Sequence, residues 1–200
     1  FEGKNQFEGK VIDGYISGAE VFIDQNFNFN KDIGELSTIS QSNGSFLIGT
    51  DDEDLYQCLQ NRPIVASVPV GAIDESLGEV SNAFRMILPS INDAGGNSSI
   101  VITPFTDLLS QSIINAKAAS SITEDLSVVD GCQAAGDSIA SSVSNEINQI
   151  MQTIESSFGI SLNELISDYI SGSTSSIVNE TKAQRIGSFL PYFKLIQDEI

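Results

Sequence analysis

The sequence predicts an α+β chain, with an antiparallel β-sandwich first and a helical bundle after it. Up to residue 103, about seven short alternating or apolar runs are separated by Gly- and Asn-rich turns, the spacing typical of a sandwich. After Thr103-Pro104, apolar residues instead recur every three or four positions, as on one face of a helix. We therefore divide the 200 residues into an extended leader (1–10), a sandwich (11–103) and a helical domain (104–200).

The predicted strands follow one another with clear turn signals. Ser17-Gly18 is expected to join the first two in a hairpin, and Asn43-Gly44 the next two. Pro63 and Pro69 mark the ends of the following run, as proline does at strand boundaries. The leader is either disordered or adds to the sheet edge of a neighbouring molecule. In chain order the strands are Lys10–Ile16, Ala19–Asp24, Ser37–Ser40, Ser45–Ile48, Ile64–Val70, Phe84–Leu88 and Ser99–Thr103.

Four helical stretches are predicted after the sandwich. Thr103 can cap the first helix, and Pro104 suits its first turn. Ser161 and Glu164 form a capping-box pattern that opens a third helix over Leu162–Ile170. Pro191 should kink or split the fourth. Their polar faces lack the Lys and Arg that anionic lipid attracts, so the apolar stripes are predicted to form a bundle core. The stripes are Phe105, Leu108, Leu109, Ile113 and Ala116; Ile139, Val143, Ile147, Ile150, Ile154 and Phe158; and Ile186, Phe189, Leu190, Phe193, Ile196 and Ile200.

Charge and composition exclude several classes of protein. With 27 acidic and 9 basic residues, a net charge of −18 disfavours nucleic acid and anionic membranes as partners. The absence of His excludes Ser-His-Asp and Cys-His catalysis and any His-containing zinc site. The densest acidic cluster, Asp51-Asp52-Glu53-Asp54, is typical of a solvated turn. Carboxylate catalysis would need two acids about 5–10 Å apart in a cleft, so we predict that the protein is not an enzyme.

The two cysteines, Cys58 and Cys132, form no Cys-x-x-Cys motif. They are either two buried thiols or one disulfide, and their even number in a chain of secreted character favours the disulfide. No charged-then-apolar leader opens the sequence, and no apolar run approaches about 18 residues, so we expect neither a signal peptide nor a membrane span. Removal of a leader, or an origin within a longer protein, would also fit.

The stretch Asp24–Glu35, which we call the acidic loop, has the side-chain pattern of a calcium site. Oxygen-bearing side chains occupy positions 1, 3, 5, 9 and 12 of these twelve residues, and position 7 would offer its backbone carbonyl. Ca²⁺ takes six to eight oxygen ligands, and this alternation turns every second side chain inward. The predicted ligands are Asp24, Asn26, Asn28, Asn30, Asp32 and Glu35.

The acidic loop departs from the helix–loop–helix calcium motif in two ways. Position 6, usually Gly for the sharp turn, is Phe29, and the residues before Asp24 alternate like a strand. We therefore expect the loop to follow a β-strand, with Phe27 and Phe29 pointing away from the ion. The alternative is an Asn-rich surface turn without metal, because Asn and Asp favour turns through local hydrogen bonds alone.

A set of motifs in residues 9–50 also carries a family resemblance. It consists of the run Gly9–Asp24, the Asn-rich loop ending in Gly34-Glu35, and Ser42–Phe46 (Ser-Asn-Gly-Ser-Phe). Together they resemble the calcium-binding, transthyretin-like or SdrD-B-like modules of bacterial secreted and cell-surface proteins, with fainter similarity at residues 63–80 and 102–109. The resemblance implies a seven-stranded, transthyretin- or Ig-like sandwich, and it implies calcium ligands at Asp24, Asn26, Asn28, Asp32 and Glu35. It does not extend to residues 110–200.

These observations predict a non-enzymatic, calcium-stabilised protein that is extracellular or on the bacterial cell surface. Its expected role is structural or adhesive, for example as a subunit of a filament or surface assembly. Expected partners are copies of itself or other surface proteins, without nucleic acid and without direct membrane insertion. A calcium-dependent glycan-binding module is the alternative, although no Trp and four Tyr leave few side chains for stacking on sugars.

Overall fold

The structure is a computed structural model, and it describes residues 4–90, 100–119, 132, 134–158, 161 and 166–171. Within these ranges the chain mixes α and β structure, which is consistent with the predicted α+β class. The strands are β1 (Asn5–Val11), β2 (Ile16–Ser17), β3 (Glu20–Ile23), β4 (Ser37–Ile39), β5 (Ser45–Thr50), β6 (Ile64–Val68), β7 (Ile73–Asp74), β8 (Gly78–Glu79), β9 (Phe84–Leu88) and β10 (Ile100–Ile102). The helices are α1 (Glu53–Leu59), α2 (Pro104–Leu108), α3 (Gln111–Ala119) and α4 (Ala134–Phe158), and Ser42–Gly44 forms a 3₁₀ turn.

The described strands form three sheets. In the first, β1 lies between β5, its antiparallel neighbour, and β10, its parallel neighbour. The second is antiparallel, with four strands in the order β4-β3-β6-β9, and the third is a small sheet of β2, β7 and β8. Gly9 allows β1 its central place, because a Cβ there would clash with the Ile100 carbonyl and the Phe46 ring.

Side-chain alternation divides the four-stranded sheet between two cores. On β6, Ile64, Ala66 and Val68 are buried with side chains of the three-stranded sheet, such as Phe7, in an inter-sheet core. Val65 points the other way, into a helix-side core. The four-stranded sheet thus packs on β strands with one face and on helices with the other. The helix-side core contains Phe22, Phe27, Val65, Ile87, Phe105, Leu109, Ile113, Ala116, Ile139, Val143, Ile147 and Met151.

The helical part begins at the predicted cap. Thr103 Oγ1 accepts hydrogen bonds from the N–H groups of Phe105 (3.0 Å) and Thr106 (3.1 Å), and Thr106 Oγ1 accepts from the Thr103 N–H at 2.9 Å. The Ile87 N–H of β9 donates to Asp107 Oδ1 at 3.0 Å, which ties α2 to the sheet. The stripes predicted for the first two helices supply much of the helix-side core. None of the described helices has the length and apolar character needed to cross a membrane.

A covalent bond and a polar cluster around Asp168 also connect the early strands to later described parts of the chain. A disulfide links Cys58 in α1 to Cys132, shortly before α4, which confirms the predicted bond. The polar cluster is centred on Asp168, which accepts hydrogen bonds from Lys10 Nζ (2.8 Å) and the Tyr15 hydroxyl (3.0 Å). The Tyr169 hydroxyl donates to the Asp13 carbonyl at 3.1 Å.

Several local predictions were wrong. Residues 5–10 are not a leader, because they pair within the protein's own sheet as part of β1. That strand ends at Val11, since residues 12–15 turn sharply. Neither predicted hairpin forms: β2 pairs with β7, whereas β5 pairs with β1 and leaves β4 to pair with β3.

One predicted turn and part of one predicted helix also differ from the structure. The acidic cluster at residues 51–54 is not an isolated turn but the beginning of α1, where Asp52 accepts the Leu55 N–H at 3.0 Å. Residues 166–170, expected to be helical, form turns and bends. Three predictions fall wholly or partly outside the described residues: one of the Gly- and Asn-rich turns, expected over residues 92–97, residues 162–165 of the third predicted helix, and all of the fourth.

Candidate metal centre

The acidic loop begins where β3 leaves the four-stranded sheet, as predicted. The Asp24 N–H donates to the Pro63 carbonyl at 2.9 Å, next to the first residue of β6. The Ile23 N–H donates to the Leu36 carbonyl at 3.1 Å, which joins the residue before the loop to the residue after it. Both ends are therefore fixed by backbone hydrogen bonds of the sheet.

The carboxylate of Asp24 organises the first half of the loop. It is completely buried, and its Oδ1 accepts hydrogen bonds from the N–H groups of Asn26 (3.3 Å) and Asn28 (3.2 Å). Its Oδ2 accepts from the Phe29 N–H at 2.8 Å. Three backbone donors on one carboxylate curl residues 26–29 around it, because each buried N–H needs a partner.

The curl requires a left-handed backbone at two phenylalanines. Phe27 has φ +60° and Phe29 has φ +62°, a region that residues other than Gly rarely adopt. Phe29 therefore takes the kind of conformation for which the calcium motif usually carries Gly at position 6. The Arg85 guanidinium lies 5.5 Å from the centre of the Phe29 ring, and that of Arg62 lies 5.5 Å from the Phe27 ring.

The second half of the loop is closed by Asp32 and Glu35. Asp32 Oδ2 accepts from the side-chain amides of Asn26 and Asn28, both at 2.7 Å. Glu35, which is also buried, accepts from the Gln25 N–H (2.8 Å) and the Asp32 N–H (2.9 Å). One connected network thus contains the five side chains that the sequence proposed as ligands.

The sixth predicted ligand lies at the edge of this network. Asn30 is exposed, its N–H donates to Asn28 Oδ1 at 2.7 Å, and its side-chain amide donates to the Asn28 carbonyl at 3.0 Å. In the part of the chain that the structure describes, no three Asp, Glu, Cys or His side chains converge as a metal-binding group. The loop is closed instead by amide N–H groups that meet the Asp32 carboxylate.

The two buried carboxylates are in an unfavourable setting for negative charge. Burial raises the pKa of Asp24 above its usual value, although hydrogen bonds from the backbone of residues 26–29 oppose this. Burial also raises the pKa of Glu35; backbone donors at Asp32 and Gln25 oppose it, and the nearby charges of Asp24 and Asp32 raise it further. A cation among these oxygens would relieve both effects.

Basic side chains surround the loop, and no motif in the sequence pointed to them. Lys117 Nζ donates to the Phe27 carbonyl (2.7 Å), and Arg85 Nη1 donates to the Phe29 carbonyl (2.9 Å). Lys31 Nζ donates to the Asp32 carbonyl at 2.8 Å. Together with Arg62, four of the chain's nine bases are gathered here. The scarcity of bases was the available signal, but no spacing in the sequence connects these positions.

The other acidic cluster has structural partners. Asp51 Oδ1 accepts from the Lys4 N–H at 3.0 Å, and Asp52 caps α1. Glu53 accepts from the side chains of Asn5 (3.0 Å) and Gln57 (2.9 Å). This cluster thus stabilises a helix start and its contact with β1.

Comparison of the chain with protein-family models, with curated proteins and with solved structures gives no match. The geometry of the acidic loop is therefore the main evidence on function.

Proposed function

We propose that the protein is a non-enzymatic, calcium-stabilised structural or adhesive protein of the bacterial cell surface or extracellular space. The observation that carries this proposal is the gathering of Asp24, Asn26, Asn28, Asp32 and Glu35 into one loop, with two of the carboxylates buried. The disulfide fits an oxidising compartment. The similarity of residues 9–50 to calcium-binding surface modules points in the same direction.

The donor set suits a hard cation. Ca²⁺ prefers carboxylate, amide and backbone oxygens, and all of these occur in the acidic loop. The amides of Asn26 and Asn28 now present nitrogen to Asp32, and a half-turn about the last side-chain bond exchanges that nitrogen for oxygen. Asp24, Asn26, Asn28, Asp32, Glu35 and the carbonyl of Asn30 would hold the ion, which would supply positive charge to a site crowded with carboxylates.

The proposed architecture serves a structural role. We propose that the three-stranded and four-stranded sheets form a transthyretin- or Ig-like sandwich around the inter-sheet core, with the helices as a bundle on its outer face. Calcium would rigidify the acidic loop, which contacts both this bundle and the sheet. Such a unit would repeat in a filament or surface assembly through contacts with copies of itself or other surface proteins.

For glycan binding, the alternative function, the described residues provide no uncovered aromatic ring at the acidic loop. Phe27 is completely buried, and Phe29 is covered by Arg85. Tyr15 lies beneath Lys10 Nζ, 4.6 Å from its ring centre, and Tyr169 packs on Phe105. The structural role is therefore the better supported of the two.

Calcium titration of the purified protein tests the proposal. Extracellular modules bind at about 10⁻⁴–10⁻³ M, so 10 mM calcium is roughly 10–100 times the dissociation constant and should stabilise by about 1.4–2.7 kcal/mol. For a chain of this size that raises the melting temperature by roughly 3–10 °C.

Matched variants locate the effect. Asp32→Asn and Glu35→Gln should abolish the calcium-induced rise in melting temperature, whereas Asp51→Asn, in the other acidic cluster, should retain it. Calorimetric titration should give one site in the unmutated protein and in Asp51→Asn. An unmutated protein whose melting temperature and heat of titration do not respond to calcium would refute the proposal.

A further inference from the structure

Two basic side chains from elsewhere in the chain bind the outer side of the acidic loop. Lys117 of α3 bonds the Phe27 carbonyl, and Arg85 of β9 bonds the Phe29 carbonyl. These carbonyls belong to the two phenylalanines of the loop, both of which have positive φ. Within residues 26–29, N–H groups thus donate to Asp24, whereas the carbonyls of Phe27 and Phe29 accept from other elements of the fold.

Phe27 adds a second link between the loop and the helices. Its ring belongs to the helix-side core, together with Ile113 and Ala116 of α3. Close-packed cores resist displacement of a single large side chain. Any change in the backbone at Phe27 must therefore disturb both the Lys117 hydrogen bond and the packing of α3.

Arg85 differs from Lys117 in what it connects. It is exposed and lies on β9, in the same four-stranded sheet from which the loop emerges. Its hydrogen bond to the Phe29 carbonyl therefore connects the loop only to the sheet from which the loop emerges. Lys117 instead joins the loop to a helix that packs on that sheet, so its contact spans two layers.

We propose that Lys117 is a positioning residue that couples the acidic loop to α3, so that closure of the loop and docking of the helix stabilise each other. In so far as calcium is the ligand, this inference rests on the proposed function: calcium would tighten α3, and loss of the Lys117 contact would weaken calcium binding. Linkage requires the two effects to be reciprocal. The part of the coupling that runs through Asp24 and Phe27 needs no metal.

The first test is hydrogen exchange in the presence of a chelator. Lys117→Met keeps most of the apolar stem of the side chain and removes the hydrogen-bond donor. In this variant the amides of residues 24–35 should exchange about five- to tenfold faster than in the unmutated protein, which is within the usual range of coupling factors. Asp24→Asn should accelerate exchange in residues 111–119. Lys117→Arg, which retains a donor, should restore protection of the loop.

Controls separate coupling from general destabilisation. Lys10→Met removes a cation that bonds Asp168, far along the chain from the loop, and should leave exchange in residues 24–35 unchanged relative to the rest of the protein. Asp51→Asn should leave residues 111–119 unchanged. If Lys117→Met accelerates loop exchange no more than Lys10→Met does, the coupling is refuted.

The second test is calcium affinity. Lys117→Met should weaken calcium binding about five- to tenfold, whereas Lys10→Met should not change the dissociation constant. Equal affinities of the unmutated protein and Lys117→Met would refute the effect of Lys117 on calcium. Failure of the unmutated protein to bind calcium would refute the proposed function alone, because the exchange experiment in chelator tests the coupling separately.

Discussion

The left-handed backbone at Phe29 has a consequence for stability that can be measured with four variants. Replacement by Ala and replacement by Gly both remove the ring and its contact with Arg85, so these losses cancel in the comparison. The remaining difference in stability between the two variants comes from the backbone conformation at position 29. An L-residue in the left-handed region costs about 1–2 kcal/mol, which Gly avoids.

A reference site in a regular strand gives the usual loss of unfolding free energy when Gly stands in place of Ala. Leu47 lies in the regular strand β5, opposite Glu8, and its side chain is 41% exposed. There Gly should be less stable than Ala by about 0.5–1 kcal/mol, because Gly loses more conformational freedom on folding. At Phe29 the relief of strain should cancel or reverse this difference.

Urea unfolding of Phe29→Ala, Phe29→Gly, Leu47→Ala and Leu47→Gly gives the result directly. The Gly-minus-Ala difference in unfolding free energy should be about 1–2 kcal/mol more favourable to Gly at position 29 than at position 47. Equal slopes with denaturant are needed, so that the comparison reports stability rather than a change in the unfolded state. If the Gly-minus-Ala difference in unfolding free energy is the same at both sites, Phe29 does not have a left-handed backbone. Phe29 would then not substitute for the usual Gly.

Two further predictions concern the connections between early and late parts of the chain. Burial opposes ionisation of Asp168, but hydrogen bonds from Lys10, Ser171 and Tyr15 outweigh it and lower its pKa to about 2. Because the folded pKa lies below the unfolded one, this carboxylate stabilises the fold above about pH 4, by about 2 kcal/mol, and the benefit disappears as pH falls towards 2. The stability advantage of the unmutated protein over Asp168→Asn in urea should therefore shrink over that interval, and a constant advantage would contradict the assignment. Replacing both Cys58 and Cys132 by Ser should lower the unfolding free energy by up to about 4–5 kcal/mol, the chain-entropy value for a separation of 74 residues. Two free thiols in the mass spectrum of the unreduced protein would show that the bond is absent.

The sequence was informative where the signal is local. Thr103 and Pro104 predict the start of α2, and the spacing of Ile139, Val143 and Ile147 predicts the buried face of α4. These signals depend on residues at most four positions apart. The apolar run between Pro63 and Pro69 likewise predicted a strand over Ile64–Val70. The structure has β6 there over Ile64–Val68, with apolar residues buried on both faces.

The pairing of strands could not be obtained in this way. The Asn43-Gly44 turn is a strong local signal, and the chain does turn there, with Asn43 at φ +57°. The strands on either side nevertheless enter different sheets, because β5 pairs with β1 and β4 pairs with β3. Partner choice depends on side chains far away in sequence, including Phe7 and Phe46 in the shared core.

The acidic loop depends both on a local sequence pattern and on contacts with residues far away in the chain. The alternation of oxygen-bearing residues from Asp24 to Glu35 is local, and these residues lie in one hydrogen-bonded network. The rule that position 6 should be Gly appeared to weaken the pattern, yet what the turn needs is a positive φ, and Phe29 provides it. A phenylalanine can do so because its surroundings compensate: Asp24 accepts its N–H, and Arg85 binds its carbonyl and lies over its ring. Arg85 is 56 residues away and Lys117 is 90 residues from Phe27, so neither partner is visible in the loop's own sequence. A loop motif should therefore be judged by the backbone conformations it requires, and by whether the rest of the fold can stabilise them, rather than by residue identity alone.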